Sequence, residues 1–115
     1  MVFFGFLFMS RTVFDSIERF LKTHDCTYRV LEHEASGLSA DVSRIREKLT
    51  GIPADRLMKM AVKSMILTDG KLFYQFNLAA DRRIDFAAVK VILGMPARFA
   101  TPEDVKRVTD CDVGE

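Results

Sequence analysis

The stretch LMKMAVKSMILTDGKLFYQFNL, residues 57–78, decides the fold class of this 115-residue chain. A mostly apolar run leads up to Asp69 and Gly70, and a second run rich in β-forming residues follows them. An Asp-Gly pair tolerates the positive φ angles that a tight hairpin turn requires. The sequence therefore predicts a long, buried strand from residue 57 onward and a second strand that returns antiparallel to it.

Lys63 lies in the middle of the first predicted strand. A period of two places it on one face with Ala61, Met65 and Leu67, and the opposite face is just as apolar. A buried ammonium group loses its hydration and needs a partner. Two interpretations fit equally well. The side chain extends along apolar neighbours to solvent at the strand edge, or it stands in a pocket with its charge directed at an anionic or carbonyl oxygen.

Three elements are predicted before this hairpin. Apolar residues at helical spacing, together with a capping box at Thr12 and Asp15, predict a helix over 12–25. β-forming residues predict a strand over about 27–33. Next, Ser39 is expected to cap a second helix. That helix is expected to end at Gly51 and Pro53.

Three elements follow the hairpin, which gives the order α-β-α-β-β-α-β-α of a mixed α/β domain. Asp85 is expected to cap a helix that ends at Gly94, ARFA reads as a short strand, and Thr101 is expected to cap a last helix. The helical residues expected to face the core are Val13, Phe14, Ile17, Phe20, Leu21, Val42, Ile45, Leu49, Phe86, Val89, Ile92 and Leu93.

Length, charge and cysteine content limit the class of protein. The chain is long enough for one domain with one core and too short for two. Its 17 basic and 16 acidic residues give a net charge of +1, so no large basic field is present to hold a long duplex. Binding of a nucleic-acid end stays open, because it needs only a local pocket. Cys26 and Cys111 form no disulfide or zinc pattern, which indicates a reducing cytoplasm.

The apolar start MVFFGFLFM, residues 1–9, matches no targeting signal. A membrane span needs about 20 apolar residues, and a secretory signal has a charged leader and a cleavage site. We expect an N-terminal extension that packs on the domain or stays disordered, with no membrane association. The domain proper is expected to cover 10–115.

Most familiar catalytic signatures are absent. The sequence contains no glycine-rich phosphate loop, HExxH, CxxC pair or nucleophile elbow. His24 and His33 are the only histidines, too few for a metal site without further ligands. His33 is the better functional candidate, because it ends a strand just before a glycine-containing loop. A solvent-facing role for it is equally compatible with the sequence.

Charged residues cluster in two other places. The DRR triplet at Asp81 to Arg83 is either a solvated turn or a clamp for phosphate or carboxylate groups, since guanidinium forms paired hydrogen bonds with both. Arg44, Arg46 and Lys48 belong to a polar helix face that is expected to be solvated.

These motifs, in this order, resemble the YbaK/ProX family of aminoacyl-tRNA editing domains, also called the prolyl-tRNA synthetase-associated domain. The resemblance extends from about residue 12 to the end of the chain. It rests on YRVLEH, a helix opening at Ser39, VKSMILTDGKLFY, ADRRIDFAAVKVILG, RFATPEDV and VTDCDVG.

The resemblance implies a single α/β domain with a mixed, barrel-like β-sheet flanked by helices. It also implies a cytoplasmic aminoacyl-tRNA deacylase that hydrolyses the ester of mischarged tRNA, such as Ala- or Cys-tRNA for proline. No metal or cofactor is implied. The partners would be the tRNA acceptor end and prolyl-tRNA synthetase, with a homodimer formed at an unpaired strand edge. The implied site residues are Lys63 and Gly114 as catalytic groups and His33, Ser39, Ser64, Asp81 and Arg83 as substrate-binding groups.

The sequence departs from the family pattern near its end. Family sequences continue past the position of Gly114 with a proline-glycine loop, whereas this sequence stops at Glu115, and Asp110 replaces a usual glycine. The wall that binds the developing oxyanion is therefore expected to be incomplete. A non-catalytic module that docks tRNA or a synthetase is the alternative, and an apolar small-molecule pocket is a weaker third interpretation.

Overall fold

A computed structural model describes residues 2–5, 10–34 and 36–114 of the chain. Its elements are β1 (Val2–Gly5), α1 (Arg11–Thr23), β2 (Tyr28–Leu31), α2 (Ser39–Thr50), α3 (Ala54–Met60), β3 (Val62–Thr68), β4 (Phe73–Ala79), α4 (Phe86–Leu93), β5 (Arg98–Phe99) and α5 (Pro102–Thr109).

The strands of the described residues form two sheets. β1 and β2 pair in parallel, and β3 lies between β4 and β5 in a three-stranded antiparallel sheet. The prediction of one small, mixed α/β domain is confirmed. The predicted barrel-like curvature is not confirmed, because strand pairing stays within these two sheets.

The N-terminal residues add a strand that the sequence did not predict. Residues 2–5 form β1 beside β2, so this part of the apolar segment packs on the domain. Residues 1 and 6–9 lie outside the described residues. The division into an extension over 1–9 and an editing domain over 10–115 stays a prediction.

The hairpin between β3 and β4 is confirmed, and side chains fix its turn. Gly70 adopts the positive φ of +97° that the Asp-Gly pair predicted. The Asp69 carboxylate accepts backbone N–H groups from Lys71 at 2.7 Å and Leu72 at 2.8 Å. Its second oxygen accepts the Tyr74 hydroxyl at 2.8 Å. These bonds set the register that pairs Lys63 in β3 with a residue near the end of β4.

We expect the Asp69→Asn variant to lose part of the acid dependence of stability. Backbone donation from Leu72 and Lys71, followed by the Tyr74 hydroxyl, lowers the pKa of Asp69. A carboxylate with a lowered pKa stabilises the fold above its unfolded pKa, and this contribution is lost as pH falls through the folded pKa. The difference in unfolding free energy between wild type and Asp69→Asn should therefore shrink below about pH 4.

Denaturant unfolding at a series of pH values measures this difference. Tyr74→Phe removes one donor to Asp69, so it should give a smaller effect in the same direction. A difference between wild type and Asp69→Asn that stays constant from neutral to acid pH would contradict the prediction.

The prediction of a strand from residue 57 is wrong for its first residues. Residues 57–60 belong to α3, and β3 begins only at Val62. Pro53 precedes the first turn of α3 with φ −54°, Asp55 lies in that turn, and Leu57 is the buried residue of the helix. Proline and an acidic residue both favour a helix start. A short apolar run cannot be assigned to helix or strand by periodicity alone.

Two of the predicted helix caps are confirmed. Asp85 accepts the backbone N–H groups of Ala87 and Ala88 at 3.0 and 3.1 Å at the start of α4. Thr101 accepts the N–H of Asp104 at 3.2 Å at the start of α5. Both caps fix the ends of helices that flank β5.

The other two predicted caps are wrong. Ser39 is the first residue of α2, and Leu38 occupies the cap without a side-chain bond. The hydroxyl of Ser36 accepts the N–H of Leu38 instead, at 3.2 Å. In α1 the predicted capping box is replaced by an ion pair of Asp15 with Arg11 at 3.1 Å. The Ser36 bond places the loop before α2 beside the site described below.

The core is centred on Leu67 of β3, which is fully buried. Several residues predicted to face the core are exposed instead, because α4 and the ends of α1 and α2 lie at the surface: Phe20, Leu49, Phe86 and Ile92. In α2 the buried position belongs to Ser43. The core-facing side of α2 is therefore more polar than its apolar pattern predicted.

Candidate acyl-binding cleft

A cleft with a volume of about 740 Å³ runs along β3 and is bordered by α1, α2, α5 and the residues after α5. Five of the seven predicted site residues line it: His33, Ser39, Lys63, Ser64 and Gly114. Asp81 and Arg83 do not line it. The volume suits a small-molecule site.

The cleft follows an open edge of β3. β5 pairs with β3 only at Leu67 and Thr68, and the N–H of Ala100 adds one bond to the Ile66 carbonyl at 3.0 Å. On the β4 side, the N–H of Ala80 donates to the Ala61 carbonyl at 2.9 Å. On the β5 side, β3 has no partner before Ile66 among the described residues.

The backbone of Ser64 therefore points into this gap. Peptide groups of an antiparallel strand alternate between its two neighbours. Ile66 bonds toward β5 and Ala61 bonds toward the β4 side, so Val62 and Ser64 direct their N–H and C=O groups away from β4. In the described part of the chain, no residue accepts the Ser64 N–H. A backbone donor thus faces the cleft directly after Lys63.

Lys63 lies half-buried in the cleft wall and makes one defined bond. Its Nζ donates to the carbonyl oxygen of Ala80 at 3.1 Å. An ammonium group has three donors, so two remain available to water or a ligand. The amine is neither free in solvent nor sealed in the core. The bond links the start of β3 to the residue that follows β4.

The side chain of Ser64 lies on the opposite face of β3 from Lys63. Its hydroxyl donates to Asn77 Oδ1 at 2.6 Å and accepts from Gln75 Nε2 at 3.1 Å. These three side chains are exposed and satisfy one another across the hairpin. The Ser64 hydroxyl is therefore held in place before any ligand binds.

His33 and Arg46 form a pair in the cleft. The Nδ1–H of His33 donates to the Glu34 carbonyl at 2.8 Å, and Arg46 Nε–H donates to His33 Nε2 at 3.4 Å. A carbonyl only accepts and a guanidinium only donates, so the pairing requires the Nδ1–H tautomer of His33. The predicted solvation of Arg46 is wrong, because this side chain is half-buried.

Burial also changes the electrostatics of Arg46. Loss of hydration lowers the pKa of its guanidinium group. The ordinary pKa of arginine lies so far above neutral that the group stays charged at neutral pH. The residue could have been found from its spacing. Ser39, Val42, Ser43 and Arg46 follow one another at helical intervals and all line the cleft.

Gly114 brings the end of the described chain against the loop before α2. It has a φ of +97°, and a Cβ placed there would lie 3.0 Å from the backbone of Ser36 and of Gly37. Both the conformation and the close approach favour glycine at this position. The contact closes one side of the cleft.

Asp81 and Arg83 are exposed residues of the turn after β4. Asp81 Oδ1 lies 3.8 Å from Arg82 Nε. A surface ion pair of this kind contributes little to stability. Their proposed role in substrate binding stays a prediction. It would require a substrate that extends beyond the cleft.

Within residues 2–5, 10–34 and 36–114, no group of three or more His, Cys, Asp or Glu side chains is placed to hold a metal ion. The helices of this part of the chain are all too short or too polar to cross a bilayer.

The fold is shared with a protein of known structure. The chain is similar to the crystal structure of hypothetical protein APE2540, with a TM-score of 0.64 and 23% sequence identity. The likeness covers 85% of this chain and 61% of that protein. At this identity it establishes a common α/β fold and nothing about activity. A comparison with curated proteins gave no match.

A family model identifies the class. The model of the aminoacyl-tRNA editing domain matches residues 41–115, which include β3, the hairpin and α5. The chain therefore belongs to the aminoacyl-tRNA editing domain family, as the resemblance to YbaK/ProX domains implied. Lys63, Ser64 and Gly114 lie inside the matched range, whereas His33 and Ser39 precede it.

Proposed function

We propose that the protein is a trans-editing deacylase, which hydrolyses the ester between a wrong amino acid and the 3′ end of a tRNA. The observation that carries the proposal is that Lys63 and Ser64 both line the cleft. The Lys63 amine bonds only to the Ala80 carbonyl, and the Ser64 N–H has no acceptor among the described residues. Both groups are donors, and a developing oxyanion is stabilised by donors fixed in advance.

The reaction needs no nucleophilic side chain. A water oxygen attacks the ester carbonyl carbon, the bond from that carbon to the ribose oxygen breaks, and a proton of the water passes to the ribose oxygen. The products are the free amino acid and the deacylated tRNA. An amino acid ester is already activated, so positioning of water and stabilisation of the oxyanion are the contributions expected of the protein.

The substrate proposed is Ala- or Cys-tRNA for proline, delivered in the cytoplasm with prolyl-tRNA synthetase as a partner. A cleft of about 740 Å³ has room for the terminal nucleoside together with a small acyl group. Cys26 is exposed and forms no disulfide among the described residues, which suits a reducing compartment. β4 is an edge strand of the three-stranded sheet, which supports the proposal of a homodimer formed by strand pairing away from the cleft.

A deacylation assay tests the proposed function. Purified protein is mixed with Ala-, Cys- and Ser-tRNA for proline, and with correctly charged Pro-tRNA as the control. We expect ester hydrolysis above the spontaneous rate for at least one mischarged tRNA and none for the control. Spontaneous rates for all mischarged tRNAs would contradict the proposal.

The second candidate is a non-catalytic module that docks the acceptor end of tRNA. It is favoured by the bonds that already occupy the side chains of Lys63 and Ser64, since both are partly committed to Ala80 and Asn77. Filter binding to tRNA without turnover would support this candidate. Turnover would remove it.

A further inference from the structure

The cleft carries an excess of positive charge. Its cationic residues are Arg46 and Lys63, and neither forms a salt bridge within the described part of the chain. Its one carboxylate among the described residues, Asp112, lies 3.6 Å from Lys106. The chain as a whole has a net charge of only +1. Two cations without carboxylate partners in one concave site favour an anionic ligand.

The two cations are suited to different groups. Lys63 is a point charge held at the strand by Ala80. Arg46 uses only Nε for His33, so the two terminal nitrogens of its planar guanidinium remain for a ligand. This arrangement matches two oxygens of one phosphate in a bidentate contact.

Burial of Arg46 strengthens the case for an anion at this position. The side chain is half-buried and loses hydration without a carboxylate to compensate for it. A desolvated cation is stabilised by an anion that enters the same site. The bond to His33 also limits the rotation of the guanidinium, so less conformational entropy is lost when a ligand binds.

We propose that Arg46 forms a phosphate subsite, which binds the phosphate group 5′ to the terminal adenosine of the tRNA while the acyl ester lies toward Lys63. The inference rests on the proposed function for the identity of the ligand. The nucleic-acid end of the substrate would therefore contact α2 at Arg46, a residue that was expected from the sequence to be solvated. His33 serves as the positioning residue for this subsite.

Isothermal titration calorimetry with adenosine 5′-monophosphate and with adenosine tests the subsite, because these probes differ only by one phosphate. For the wild-type protein we expect the monophosphate to bind at least about tenfold more tightly, as charge-assisted hydrogen bonds predict. Higher salt should reduce the preference. Equal affinities of the two probes for the wild-type protein would overturn the proposal without any variant.

Variants assign the preference to Arg46. Arg46→Gln should reduce it to about onefold, and Arg46→Lys should retain part of it, since charge persists without the planar fork. Lys48→Gln removes a charge from the exposed side of the same helix and should leave the preference unchanged. A preference that survives in Arg46→Gln, or that disappears equally in Lys48→Gln, would overturn the assignment.

The subsite and the proposed function fail in different ways. A retained monophosphate preference with no hydrolysis of any mischarged tRNA supports the subsite and removes the deacylase. Hydrolysis together with equal binding of the two probes removes the subsite alone. Thermal unfolding of Arg46→Gln, measured beside Arg46→Lys, separates a loss of binding from a loss of fold.

Discussion

The Lys63→Met variant should lose deacylation, with kcat lower by about 100-fold, the effect expected when one preorganised donor to an oxyanion is removed. Methionine keeps the apolar stem of the side chain in the cleft wall and removes only the ammonium group. Single-turnover hydrolysis of a mischarged tRNA measures the change. The effect should fall on kcat more than on KM, since the contact strengthens in the transition state.

Lys71→Met provides the matched control. Lys71 lies in the hairpin turn, exposed and outside the cleft, so removal of its charge should leave hydrolysis unchanged. A structural role for Lys63 is the competing explanation, because its amine bonds to Ala80. In that case the melting temperature would fall and activity at low temperature would recover. Full activity of Lys63→Met would contradict the catalytic role.

The Leu67→Ala variant should show the largest loss of stability. Leu67 is the fully buried side chain at the centre of the three-stranded sheet, and Leu→Ala changes in such positions cost about 2 to 5 kcal/mol. Val62→Ala on the same strand is the control, since Val62 is 72% exposed and should cost less than about 1 kcal/mol. Denaturant unfolding measures both. Equal costs would contradict a core centred on Leu67.

The hairpin and the last two helices were predictable because local chemistry fixes them. The Asp69–Gly70 turn, the Asp85 cap and the Thr101 cap each depend on bonds between residues close in sequence. The mixed α/β class followed from these elements. Their order also led to the family, whose model matches residues 41–115.

Other features could not be read from hydrophobic periodicity alone. Residues 57–60 became a helix because Pro53 starts α3, although their apolar run suited a strand equally well. Exposure of Phe20 and Ile92 depends on which helix faces find a partner. Helical periodicity shows that a face is apolar and not that another element covers it.

The candidate site was predictable in part. One cleft is lined by five of the predicted residues: His33, Ser39, Lys63, Ser64 and Gly114. Tertiary contacts bring them together, such as the close approach of Gly114 to the loop at Ser36 and Gly37. Arg46 was missed because charged residues on a helix are usually solvated. Helical spacing places Arg46 on the same side of α2 as Ser39 and Ser43, whereas its contact with His33 spans 13 residues and depends on tertiary structure.

The central claim is that this cleft holds the aminoacyl end of a tRNA, and a nuclear magnetic resonance titration tests it most directly. The ligand is 3′-alanylamido-3′-deoxyadenosine, in which an amide replaces the ester and resists hydrolysis. We predict that the largest backbone amide shifts occur at His33, Ser39, Lys63 and Ser64, while Lys71 in the hairpin turn stays unchanged. Shifts confined to residues outside the cleft, or no shifts at saturating ligand, would contradict the account.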